Sequence, residues 1–173
     1  MNIFVEVFSD EGSKVTFYTV RKEDAKISET EDFFRRVSEK TECQEDVFKL
    51  VHLLSNQIAN LYGAHEKYFN RQERKATALP PKKYRSFKNE KAISFSYSPL
   101  RLYTLKVSES IVVLFNGGLK LTEGRAQDDP NVSMYFHEAN EYATRIIQAI
   151  NEGMICVNRK SILDFQGNKI ITL

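Results

Sequence analysis

The stretch Ser98-Pro-Leu-Arg101-Leu-Tyr103-Thr-Leu-Lys-Val-Ser-Glu-Ser-Ile111-Val-Val-Leu-Phe115-Asn-Gly-Gly-Leu-Lys120-Leu-Thr122 decides the fold. Leu100 to Val107 reads as one strand. Ile111 to Phe115 reads as a second, because an unbroken run of β-branched and aromatic residues suits a strand buried on both faces. Ser108-Glu109-Ser110 is a short polar connection, so the two strands are expected to pair antiparallel. Asn116-Gly117-Gly118 is expected to break the second strand as a turn, since both glycines tolerate positive φ. Leu119 to Thr122 is then a short edge strand. Arg101 and Tyr103 lie two apart and share one strand face, and Lys120 follows the glycines. The face carrying these three side chains is the first place to look for function.

Upstream, Asn2 to Phe8 and Lys14 to Val20 read as strands joined by the turn Asp10-Glu11-Gly12-Ser13, an N-terminal hairpin. Ser28-Glu29-Thr30-Glu31 fits a capping box, and a helix from Glu29 to Glu39 follows, with Phe33, Phe34 and Val37 facing inward. Thr41-Glu42-Cys43-Gln44 resembles a second helix start. Val47, Leu50, Val51, Leu54, Ile58 and Leu61 recur at helical spacing, and Gly63 is placed as a C-terminal cap. Ala78-Leu79-Pro80-Pro81 is excluded from a helix interior and is expected to be an extended loop. Ile93, Phe95 and Tyr97 alternate with serines, as in a half-buried strand.

Downstream, Glu123 to Asp129 reads as a loop. Asp129 is placed as an N-cap with Pro130 at the first helical position, and the helix runs to about Asn151 with Val132, Tyr135, Ala139, Tyr142, Ile146 and Ile150 as its apolar stripe. Met154 to Val157, Ile162 to Phe165 and Lys169 to Leu173 read as short strands. Helices segregated from an antiparallel sheet predict a single α+β domain over residues 1–173.

The 173 residues suffice for one complete core, and the net charge of +2 is nearly balanced. No apolar run is long enough for a membrane span, and Met1 to Val7 lacks the basic start of a signal peptide. Cys43 and Cys156 are far apart in sequence, with neither metal-ligand spacing nor a disulfide framework. Reduced cysteines and a cytoplasmic location are expected. The balanced total conceals a local asymmetry. Between Lys67 and Lys91 there are nine basic residues against two acidic ones, Glu73 and Glu90. Tyr68, Phe69, Tyr84 and Phe87 are interleaved with them. Positive charge beside rings is what nucleic-acid backbones and unstacked bases use, so Arg71, Arg74, Lys75, Lys82, Lys83, Arg85 and Lys88 are candidate nucleic-acid contacts. A solvated loop with aromatic anchors has the same composition.

Phosphate-cradling glycine motifs, His-Glu-x-x-His, paired cysteines and a nucleophile elbow are all missing from the sequence. With only His52, His65 and His137, neither a metal nor another cofactor is expected. Cleavage of RNA needs no metal. A ribose 2′-hydroxyl attacks the adjacent phosphate when it is aligned, deprotonated and given positive charge to stabilise the transition state. Arg101, Tyr103 and Lys120, joined by Arg125, Tyr135 and His137 from the same side, are the candidate catalytic residues. Each has a structural alternative: a sheet tyrosine, an ion-pair partner, a helix-surface histidine.

Leu79-Pro80-Pro81, Leu100-Arg101-Leu102-Tyr103, Ile111 to Phe115 and Gly117-Gly118-Leu119-Lys120-Leu121-Thr122 together resemble the core of the RelE/ParE/HigB toxin superfamily. The resemblance spans about residues 14–122, with residues 123–173 as a C-terminal extension. It implies two helices before an antiparallel sheet, with the family arginine at Arg101 and the motif lysine at Lys120. It further implies a type II toxin neutralised by a cognate antitoxin, with a helix-turn-helix protein as the candidate form. RelE- and HigB-like members cut mRNA on the ribosome; ParE-like members poison DNA gyrase without cutting RNA. Lys-Leu-Thr carries one lysine where the family usually has two, and Asn116-Gly117-Gly118 replaces a His-Gly-Phe-like segment. A protein that keeps the fold as an inactive interaction module fits the same residues.

Overall fold

The computed structural model describes residues 1–82 and 97–173. The strand expected at Ile93 and Phe95 lies outside them, as do the candidate contacts Lys83, Arg85 and Lys88. The N-terminal hairpin pairs β1 (Ile3–Ser9) with β2 (Thr16–Lys22) in antiparallel register. α1 (Glu29–Ser38) begins at the expected capping box: the Glu31 N–H donates to Ser28 Oγ at 3.2 Å and the Ser28 N–H to Glu31 Oε2 at 2.7 Å. α2 (Gln44–His52) continues into a π-helical segment, Leu53–Tyr62, which Gly63 ends at φ +81°. Two short strands, β3 (Gln72–Glu73) and β4 (Ala76–Leu79), precede the central pair β5 (Leu100–Ser108) and β6 (Ile111–Leu119). α3 (Ser133–Asn151), the hairpin β7 (Ile155–Asn158) and β8 (Ser161–Asp164), and β9 (Ile171–Thr172) complete the chain.

The class is α+β, but the sheet is mixed. Its order is β3-β4-β5-β6-β2-β1-β9, and β2 pairs with β6 in parallel. The expectation of an antiparallel sheet segregated from its helices is therefore corrected. Helices cover both faces. Phe17, Leu102, Val112 and Leu114 pack with Phe33, Leu50, Leu53 and Ile58 on one side. Tyr18, Tyr103, Val113 and Phe115 pack with Phe136, Tyr142 and Ile146 of α3 on the other. A strand covered twice has no solvent face, which is why Ile111 to Phe115 shows no polar alternation. Each such side chain contributes roughly 1.5–3 kcal/mol through burial.

Four local expectations are also corrected. β6 runs through Asn116, Gly117 and Gly118 to Leu119, so these residues are not a turn, and neither glycine has positive φ. Leu119 ends β6 in the sheet interior, so 119–122 is not an edge strand. Ala76–Leu79 is a strand where a loop was expected up to the prolines. α3 starts at Ser133 because Asp129 first organises a turn; the N–H groups of Val132 and Ser133 both donate to its carbonyl.

Candidate functional site

The antiparallel register of β5 and β6 brings Arg101 and Lys120 to one end of the sheet. Leu100 lies opposite Leu119 and Arg101 opposite Gly118, and the Lys120 N–H donates to the Pro99 carbonyl at 2.8 Å. Arg101 and Lys120 both line a cavity of about 540 Å³, together with Arg71, Arg74, Lys82 and Arg125. Six cations thus face two carboxylates, Glu73 and Glu123. Arg71, Lys82, Arg101 and Lys120 also line an adjoining depression of about 410 Å³. Tyr97, 95% exposed, stands at that second opening.

Three surrounding features shape the cavity. The turn between β3 and β4 passes through Arg74 at φ +69°, and Asn140 of α3 fixes it. The Asn140 Oδ1 accepts from the N–H groups of Lys75 at 2.8 Å and Ala76 at 3.1 Å. The segment after β6 is tied by fully buried Asp129. Asp129 Oδ2 accepts from the backbone N–H of Leu121 at 2.9 Å, the N–H of Thr122 at 2.8 Å and the Thr122 hydroxyl at 2.9 Å. Burial alone would raise the Asp129 pKa, but these donors and the Asn131 N–H hold the carboxyl down to about 2. Phe136 lines the cavity from α3, with the Arg74 guanidinium 5.2 Å from its ring centre.

Arg101 is 8% exposed. Its Nη1 donates to the carbonyls of Ser98 at 2.8 Å and Leu100 at 2.7 Å. Its Nε is buried without a partner among the described residues, and no bond to Nη2 is seen there either. The Nε–Nη2 edge is the fork that grips a carboxylate or phosphate with two parallel bonds. Burial, opposed by Tyr103, Glu73 and Asp129, pulls the Arg101 pKa below the usual arginine range. Burial and the like charge of Arg101 pull Arg71 down to about 10. Two guanidiniums crowded in a partly desolvated site lose free energy that an anion between them would restore.

The other expected catalytic residues are arranged differently. Tyr103 shares the Arg101 side of β5 but is fully buried, edge-on to Phe136 at 6.1 Å between ring centres. Its hydroxyl has no partner among the described residues. Burial pushes the phenol up, so it holds its proton, and it does not line the cavity. Its expected place on the open face is thus corrected, because α3 covers that part of the sheet. Arg125 lines the cavity and pairs with Asp128 at 2.9 Å. His137 is exposed on α3 and does not line it. Tyr135 lies under the Arg36 guanidinium at 4.6 Å, also outside the cavity. Of the basic-stretch candidates within the described residues, Arg71, Arg74 and Lys82 line the cavity; Lys75 is exposed outside it.

Glu73 was missed as a site residue. Its signal was its isolation: one of two acids among nine bases in the span 67–91. Among the described residues no cluster of three or more His, Cys, Asp or Glu is placed to hold a metal ion. Cys43 and Cys156 are free thiols, one buried and one exposed. No described helix is long and apolar enough to cross a membrane. Comparisons with known protein families, curated proteins and solved structures return no match to this chain.

Proposed function

We propose that this chain binds single-stranded RNA through the cationic cavity and cleaves it without a metal, as a toxin of a type II toxin-antitoxin pair acting on ribosome-associated mRNA. The observation that carries the proposal is Arg101: buried, lining a cavity with five other cations, its Nε without a partner among the described residues. Keeping a guanidinium in that state costs free energy unless a bound anion completes it. Lys120, adjacent through the strand register, supplies the second positive charge for a phosphate passing to a pentacovalent transition state. Tyr97 at the neighbouring opening offers a ring on which an unpaired base can stack, a feature a single strand can use and a duplex cannot.

The test is purified protein incubated with end-labelled single-stranded RNA and with mRNA under translation. Defined cuts are expected, and Arg101→Ala should weaken RNA binding by roughly 10- to 100-fold, the worth of a charge-assisted contact. Lys120→Ala should lower the cleavage rate by a similar factor. Equal cleavage by wild type and both variants would contradict the proposal. A second outcome, growth arrest with intact mRNA and damaged DNA, would favour a gyrase-directed, ParE-like binder. That alternative draws on fully buried Tyr103 and outlying Tyr135 and His137, which leave three of the six candidate catalytic side chains away from the cavity.

A further inference from the structure

Cleavage by a 2′-hydroxyl needs a group that takes its proton, and the candidate tyrosines and histidine, Tyr103, Tyr135 and His137, do not line the cavity. Glu73 does. It sits on β3, held opposite Ala76 by the β3–β4 pairing, and is half-buried. It makes no hydrogen bond or ion pair among the described residues, although it shares the cavity with Arg71, Arg101, Lys82 and Lys120. An acid within a cation cluster usually closes an ion pair. One that remains unpaired is available to a ligand.

We infer that Glu73 is the general base of this cavity, taking the proton from the ribose 2′-hydroxyl next to a phosphate held by Arg101 and Lys120. The assignment rests on the RNA-cleaving function proposed above and extends it to the base and to the substrate class, an RNA with a free 2′-hydroxyl. As Glu73 takes the proton, a bond forms from the 2′-oxygen to phosphorus and the bond from phosphorus to the 5′-oxygen breaks. The 5′-oxygen leaves as a hydroxyl with a proton from solvent water, and the other product is a 2′,3′-cyclic phosphate. No oxidant, reductant or co-reactant is needed. Burial raises the Glu73 pKa above the usual carboxylate range, against the pull of Arg101, Arg71, Lys82 and Lys120. A base with a raised pKa accepts a proton more readily and is still ionised once the pH exceeds that value.

Glu73→Gln separates binding from chemistry, using the full chain and an end-labelled single-stranded RNA oligonucleotide. Cleavage should fall roughly 10²- to 10⁴-fold, while affinity is unchanged or rises because a negative charge leaves a cationic site. The wild-type rate should climb with pH through the titration of Glu73 and then level off; the residual Glu73→Gln rate should lack that limb. Glu73→Asp should keep the limb at a lower rate, and it serves as the test if Glu73→Gln does not fold. An oligonucleotide with 2′-deoxyribose at the cut position should bind and stay intact. Glu73→Gln cutting at the wild-type rate with the same pH limb overturns the assignment and leaves the RNA-cleaving function standing. A wild-type protein that binds RNA and cuts none overturns both. Cleavage of the 2′-deoxy oligonucleotide overturns the 2′-hydroxyl route.

Discussion

A Cβ built on Gly117 would lie 1.7 Å from the carbonyl oxygen of Arg101 and 2.7 Å from its carbonyl carbon. Glycine is needed there for close approach between β5 and β6. Gly117→Ala should therefore lower stability by about 3 kcal/mol in urea denaturation, the upper range for overpacking, and displace Arg101 with its strand. Gly124→Ala, with nothing within 4 Å of the added carbon, should change stability by less than ~0.5 kcal/mol. The two roles of glycine, positive φ and close approach, are indistinguishable in a sequence, which is why Asn116-Gly117-Gly118 looked like a turn. Arg101 and Lys120 were legible because strand register alone brings them together. Tyr103 was not, because its exposure depends on α3, which is distant in the chain. Asp129 adds a pH signature. Its folded pKa of about 2 lies below the ~3.9 of an unfolded aspartate, so its contribution of about 2 kcal/mol is fully present above pH ~4 and lost as pH falls toward 2. Asp129→Asn should be less stable at pH 7 and show a flatter stability slope between pH 4 and 2, measured by denaturation at each pH.

The central strands were legible because their apolar runs reflect burial on two faces, a requirement independent of anything else in the chain. α1 was legible for a local reason: its capping box is written in four consecutive residues. Ser28→Ala should cost about 1 kcal/mol of stability, read as a shift in the denaturation midpoint. The long second helix was only half legible. Val51 and Leu61, placed on its apolar stripe by a regular repeat, are 43% and 52% exposed. For Leu61 the reason is the π-helical segment Leu53–Tyr62, which bonds to the fifth residue rather than the fourth and so changes the phase of the buried face; Val51 lies before it, on α2. Leu54 and Ile58 face inward as expected, joined there by Leu53 and Gln57. The α3 stripe slipped in a related way. Phe136, rather than Tyr135, is the fully packed ring at its start, because the turn built on Asp129 delays the first helical residue to Ser133.

The parallel pairing of β2 with β6 joins the N-terminal hairpin to the central strands, and it left no signal in the sequence because the two strands are far apart in the chain and no short connection fixes their relative direction. The resemblance set residues 123–173 apart as an extension, whereas the apolar stripe of their helix pointed to the core, where the structure puts them. α3 supplies Phe136, Ala139, Tyr142, Ala143, Ile146 and Ala149 to one face of the sheet. A fragment ending at Thr122 should fail to fold cooperatively, seen as loss of a two-state thermal transition by circular dichroism. The same packing gives the cavity its far wall, through Phe136 and the segment 123–127. The proposed function requires this cavity to hold the phosphates of an RNA strand. The salt dependence of affinity for a single-stranded RNA oligonucleotide tests it most directly. Each neutralised phosphate contributes a slope of about −0.7 in log affinity against log salt, so the double variant Arg101→Ala/Lys120→Ala, which frees the one phosphate both cations hold, should flatten the wild-type slope by about 0.7. An unchanged slope, or a wild-type protein with no measurable affinity at low salt, would contradict it.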